Sequence, residues 1–214
     1  MLEKISLALQ TYASVYTGAA RMFEEVKKEL DANYKGALYA SKLGEAKEIY
    51  ESTLTSSREE NYSVCVDVLE GVKKQIQAVA SEPIEDDFNA TLAALKVIKH
   101  PTKTEIQAVI ERYRNNYLAY RAICDLFDND KELCSTITID DVLDACDELS
   151  DMLHRCFYGG EGIEGYFYQL LLQGDYIGKY DELFRSFITR DFDIADMQQS
   201  EEQFDTQSEE GDLK

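Results

Sequence analysis

The chain is short of the residues that break helices. It holds two prolines in 214 residues, Pro83 and Pro101, and both fall in stretches that read as connections. Because proline and glycine are what usually punctuate a β protein, so few breakers favour helices. Histidine is equally scarce, with two residues, His100 and His154. His100 stands before a proline at a helix end, and His154 falls late in a helix, where a cation suits the dipole. Neither adjoins a nucleophile motif, and carboxylates in plenty are not by themselves a site, so the sequence gives no reason to expect an enzyme. No apolar run approaches the roughly 20 residues needed to span a bilayer. The first thirty residues are amphipathic and carry Glu3, Lys4, Arg21 and Glu24, unlike a secretory leader. Five cysteines are an odd number, which reads as free thiols in a reducing, cytoplasmic setting.

Positive charge is also lacking, and unevenly. Residues 1–100 carry 12 Lys/Arg against 16 Asp/Glu, whereas residues 101–214 carry 10 against 26. Of the formal net charge of −20, the second half therefore holds −16. Such a field repels nucleic acid and anionic membranes and attracts a basic protein surface.

What is present is helical periodicity. Ile5, Leu9, Tyr12, Tyr16, Ala19, Phe23, Val26 and Leu30 recur at steps of three or four, as one helix face requires. Asp31-Ala-Asn33 is a natural stop. Leu43, Ala46, Tyr50, Leu54, Val64, Val68, Val72, Ile76 and Val79 continue the pattern, with no glycine or proline in the polar stretch 55–61. A single helix from about residue 36 to 80 would run roughly 65 Å, the length of a coiled-coil arm, and the alternative is a kink or turn near Ser56-Ser57. The first helix could fold back on this arm, or two copies could pair through it, near Val68 and Val72. Ser81-Glu-Pro83 ends the pattern. A short helix is expected over 88–99, stopped by His100-Pro101. The Thr102/Glu105 spacing is that of a capping box, and it opens a helix expected to carry Ile106 through Phe127. Asp128-Asn-Asp130 reads as a turn. Thr138 is expected to cap a helix whose inner face is Val142, Cys146, Leu149, Leu153 and Cys156 or Phe157, ended by Gly159-Gly160. Two aromatic helices then part near Gln173-Gly174-Asp175. From residue 191 the sequence turns polar and acidic and is expected to be disordered. No internal repeat is visible.

Several patterns look chemical and fail on spacing. Cys124, Cys134, Cys146 and Cys156 lie ten or twelve residues apart, unlike the close pairs of a zinc site. An EF-hand counted from Asp128 would need glycine at the sixth position and a carboxylate at the twelfth, where Leu133 and Ile139 stand. Gly160-Glu-Gly162-Ile-Glu-Gly165 fits the dinucleotide fingerprint literally, but a helix precedes it and its glutamates oppose phosphate. No cofactor and no metal are expected.

One constellation remains. Asp140, Asp141, Asp144, Asp147, Glu148 and Asp151 share the polar side of one helix, with neighbours roughly 5–6 Å apart. Tyrosines recur at Tyr113, Tyr117 and Tyr120 and again at Tyr166 and Tyr168, serving either a core or an interface. Arg112, Arg114 and Arg121 among the first set form the one small basic patch. The sequence thus reads as an all-α protein: a helical arm or hairpin over 1–80, an acidic bundle of four or five short helices over 84–190, and a tail over 191–214. Its expected function is non-enzymatic, an adaptor or assembly protein that engages a basic protein partner and pairs with a second copy through its arm. The alternative is an inhibitor that imitates nucleic acid to block a DNA- or RNA-binding enzyme, in the manner of the anti-restriction and anti-CRISPR proteins of phages and mobile elements.

Overall fold

The computed structural model describes residues 1–98, 101–127, 137–160, 162–173 and 176–192. The expectations for His100, the turn at 128–130, Cys134, the break at 174–175 and the tail beyond 192 lie outside the described residues. Among the described residues the elements are eight α-helices and one 3-10 turn, with no strand: α1 (Glu3–Asn33), α2 (Gly36–Ala80), α3 (Phe88–Val97), α4 (Lys103–Tyr113), α5 (Tyr117–Leu126), α6 (Ile139–Tyr158), the turn (Gly162–Glu164), α7 (Tyr166–Gln173) and α8 (Tyr176–Ile188). None of these helices is long and apolar enough to cross a membrane.

The all-α expectation holds, and so does the uninterrupted second helix of 45 residues. Its polar centre survives as helix because nothing in it withholds a backbone donor. Between α1 and α2, Tyr34 is extended and Gly36 takes a φ of +65°, a left-handed value glycine adopts without steric cost. One expectation fails. The helix foreseen from Thr102 to Phe127 is two helices, α4 and α5, parted at Arg114–Asn116. Asn116 stops the run by adopting extended backbone and turning its side-chain oxygen to the Ala119 N–H at 3.0 Å, an N-cap. Its amide group donates onward to the carbonyl oxygen of Pro83 at 3.0 Å.

The chain forms two compact units. The first comprises residues 1–72 and 145–181. Leu2 and, on α1, Ile5, Leu9 and Tyr12 are buried there, as are Cys65 and Leu69 of α2, Leu149 and Phe157 of α6 and Tyr168 of α7. The Tyr12 and Phe157 rings meet at 5.1 Å, and the Tyr168 hydroxyl donates to the Leu9 carbonyl. The chain start is tied down by Asp181, whose carboxylate accepts the Leu2 N–H at 2.6 Å and pairs with the Met1 ammonium at 2.8 Å.

The second unit comprises residues 73–144 and 182–214. Tyr117, Phe187 and Phe192 form a three-ring core with centroids 5.1–5.4 Å apart. Beside it Phe88, Tyr113, Ala119 and Ile123 make a second cluster. The Tyr117 hydroxyl accepts the Ile139 N–H at 2.8 Å, so a buried phenol seats the start of α6. Arg190, with φ +65°, forms a two-pronged pair with the Glu82 carboxylate.

Candidate functional site

The acidic helix α6 begins as its sequence foretells. The Thr138 N–H and hydroxyl both donate to the Asp141 carboxylate, at 2.9 and 2.6 Å, and the Asp141 N–H donates back to the Thr138 hydroxyl oxygen at 3.1 Å. This reciprocal cap satisfies the first orphan donors of the helix. The inward face is fully apolar: Val142, Cys146, Leu149, Leu153, Cys156 and Phe157 are all buried, as the periodicity anticipates. At the far end Gly159 lies against the Arg155 carbonyl, where a Cβ would come within 2.4 Å, and Gly160 turns the chain at φ +81°.

With the apolar side buried, all six acidic residues stand exposed on the opposite side. They are not equivalent. Asp141 is held in the cap. Glu148 accepts a hydrogen bond from the Tyr180 phenol, which burial first and this carboxylate second push above its ordinary value. Asp140 lies close enough to Arg121 to favour that guanidinium's charged form, after the larger effect of its bond to the Tyr117 hydroxyl. Asp140, Asp144, Asp147 and Asp151 follow one another at steps of four, three and four, a row with axial gaps of about 4.5–6 Å. Closely spaced like charges repel and are mildly destabilising.

The aromatic candidates divide differently. Tyr113, Tyr117, Tyr120 and Tyr168 are buried, and their rings pack the interiors of their units. Tyr166 is 66% exposed. The basic patch is likewise engaged within the fold: Arg112 pairs with Asp87, Arg114 reaches Glu111 at 3.4 Å, and Arg121 donates to the Tyr117 hydroxyl at 3.1 Å. These arginines serve local structure.

The thiols need one correction. Cys65, Cys146 and Cys156 are buried and outside any disulfide, but Cys124 is disulfide-bonded, so the reading of five reduced thiols does not hold. Spacing alone could not reveal a bond made in three dimensions. Burial raises the Cys65 and Cys156 thiols to about 12, and both stay protonated and unreactive at neutral pH.

Periodicity also overlooked two features on the α1–α2 hairpin of the first unit. One is a cleft of about 660 Å³ lined by Thr11, Val15, Ser56, Ser57, Asn61 and Val64 among others. Its buried amide is satisfied at home, since Asn61 donates to the Ser57 carbonyl oxygen at 2.7 Å. Next to it the Arg58 Nε is buried without a hydrogen-bond partner among the described residues, and its guanidinium lies 5.0 Å from the centre of the Tyr158 ring. The other is an apolar groove of about 390 Å³ floored by Phe23 and Tyr50 and flanked by Met22, Val26 and Ile49. The signal for it was present in Val15 and Met22, which widen the apolar face at Ala19 and Val26 of the row already noted.

Compared with protein-family models, with curated proteins and with solved structures, the chain matches none.

Proposed function

We propose that this protein is a non-enzymatic binding protein that holds a basic protein partner against the exposed carboxylates of α6. The observation that supports the reading is the division of that one helix into two sides. The inner residues are buried without exception, so the acids opposite them are held on a fixed backbone and presented together. Carboxylates on a fixed backbone lose no backbone freedom when a Lys/Arg surface docks, and the surrounding excess of negative charge speeds the encounter. A second reading rests on the same row. Asp140, Asp144, Asp147 and Asp151 repeat regularly along an axis, as the phosphates of a nucleic-acid strand do, so the basic partner would be a nucleic-acid-binding enzyme whose groove the row fills.

The test separates a located face from a diffuse charge. Asp144→Lys with Asp151→Lys moves the net charge from −20 to −16, and so does Glu59→Lys with Asp86→Lys at exposed positions away from α6. Partners captured by the wild-type chain at moderate salt should be lost with the first pair and kept with the second. Equal loss in both would reduce the acidic helix to a contributor of bulk charge. If the captured partner binds nucleic acid, competition by a DNA or RNA duplex for the same face supports the mimic, and simultaneous binding of chain and duplex excludes it.

A further inference from the structure

We infer that the distal half of the α1–α2 hairpin, residues 13–56, is the face through which two copies of this chain associate. The starting point is burial. In α1 the residues buried by the fold are Ile5, Ala8, Leu9, Tyr12 and Leu30, so the seventeen between Tyr12 and Leu30 include none. In α2 no residue before Ser57 is buried. Yet this stretch is not polar. Val15, Ala19, Met22 and Val26 on α1 and Ala46, Ile49 and Tyr50 on α2 line one continuous groove, with Met22 64% and Ile49 67% exposed.

The helices do meet each other there. Phe23 stacks on Tyr50 at 5.1 Å, the Lys42 ammonium sits 5.4 Å from the Tyr34 ring centre, and the Tyr39 hydroxyl bonds Asp31. These contacts fix an antiparallel pair and occupy Phe23 and Tyr50. The groove residues beside them have no layer over them among the described residues of this unit. A two-helix layer cannot enclose a core by itself, whereas two such layers face to face make a four-helix bundle.

Charge identifies the second layer. Residues 13–56 carry six Lys/Arg and seven Asp/Glu, a net of −1 in a chain of −20. A basic partner is drawn to the other −19, and an acidic one is repelled by it. A near-neutral face bearing both signs, from Arg21, Lys27 and Lys28 to Glu24, Glu25 and Glu48, suits its own copy turned about a two-fold axis, where each residue of one sign can meet one of the other. Size agrees. Twenty residues of helix run about 30 Å, and two helices side by side are about 20 Å wide, so each copy offers on the order of 600 Å². Roughly 1,200 Å² in total is the lower end of what specific complexes bury, so the dimer is reversible and concentration-dependent. Placing the interface at Met22 and Ile49 moves it from the Val68–Val72 stretch that the sequence suggests. Val72 is buried in the fold of its own chain and is not available to another.

This inference does not rest on the acidic helix, and salt tells the two apart. Sedimentation equilibrium of the full chain, from low micromolar to millimolar, should show the mass rising from 24.4 kDa toward twice that value. Added salt should preserve or strengthen the association, since it screens the repulsion between two copies of −20. Met22→Asp with Ile49→Asp should stay monomeric at every concentration while keeping the wild-type circular dichroism and melting temperature. Val97→Asp, at an 81% exposed apolar residue of α3, should dimerise as the wild type does. A wild-type chain monomeric at millimolar concentration overturns the inference. So does a dimer that survives the double substitution, one lost to Val97→Asp, or one that salt dissolves.

Discussion

The two halves of the α1–α2 hairpin are built from the same two helices with the same apolar period, and they end in opposite states. Near the chain start, Leu2, Ile5, Leu9 and Tyr12 are buried, with Tyr12 against Phe157 and the Leu9 carbonyl accepting from Tyr168, and the helices are enclosed. Between Val15 and Val26, residues of the same kinds at the same spacing are half-buried or exposed, since only one helix faces them. An apolar row states which residues can be buried. Whether they are buried depends on a layer supplied from elsewhere, here α6 and α7 for the proximal half and, by the inference above, a second copy for the distal half.

The sharpest way to break this comparison is to delete equivalent bulk from each half. Leu9→Ala, in the enclosed half, should cost about 3 kcal/mol, the usual transfer-plus-cavity loss of a buried leucine. Met22→Ala should change stability by less than about 0.5 kcal/mol at concentrations where the chain is monomeric. Chemical denaturation of both variants decides the matter, and similar losses would mean that the distal half is enclosed within its own chain. Helix ends come next in size. Thr138→Ala and Thr102→Ala each remove a hydroxyl that closes a reciprocal cap and should each cost about 1 kcal/mol by the same assay. The smallest effect is on pH. The Glu105 carboxyl is held below its ordinary 4.5 by the Thr102 N–H first and the Thr102 hydroxyl second. A carboxyl lowered in the folded state stabilises the fold above its unfolded pKa and loses that contribution as pH falls through the folded one. The wild type should therefore lose stability more steeply below pH 4.5 than Glu105→Gln, as melting temperatures across the acid range will show.

Local features were the legible ones. The capping pairs at Thr102 and Thr138, the uninterrupted α2, the inner face of α6 and the glycine stop after it could all be read from spacing, because each is decided within a few residues. The break at Asn116 was missed because the apolar period runs on through it, and only the Ala119 N–H and the Pro83 carbonyl show that its side chain prefers a cap. Tyr113, Tyr117 and Tyr120 look equally fit for a core or a surface until α3 and α8 bring Phe88 and Phe187 against two of them. The acidic row was legible in full, and so was the place of Asp141 in the Thr138 cap, but the partner of Glu148 was not, because Tyr180 reaches it only after folding.

Amide hydrogen exchange along α1, followed by mass spectrometry at two protein concentrations, tests the missing layer most directly. Exchange between Tyr12 and Leu30 should be fast in dilute solution and slow markedly when the chain is concentrated, while Ile5–Tyr12 stays equally protected in both. Distal amides as protected as the proximal ones at the lowest concentration would contradict the account, for the hairpin would then be covered without a second copy.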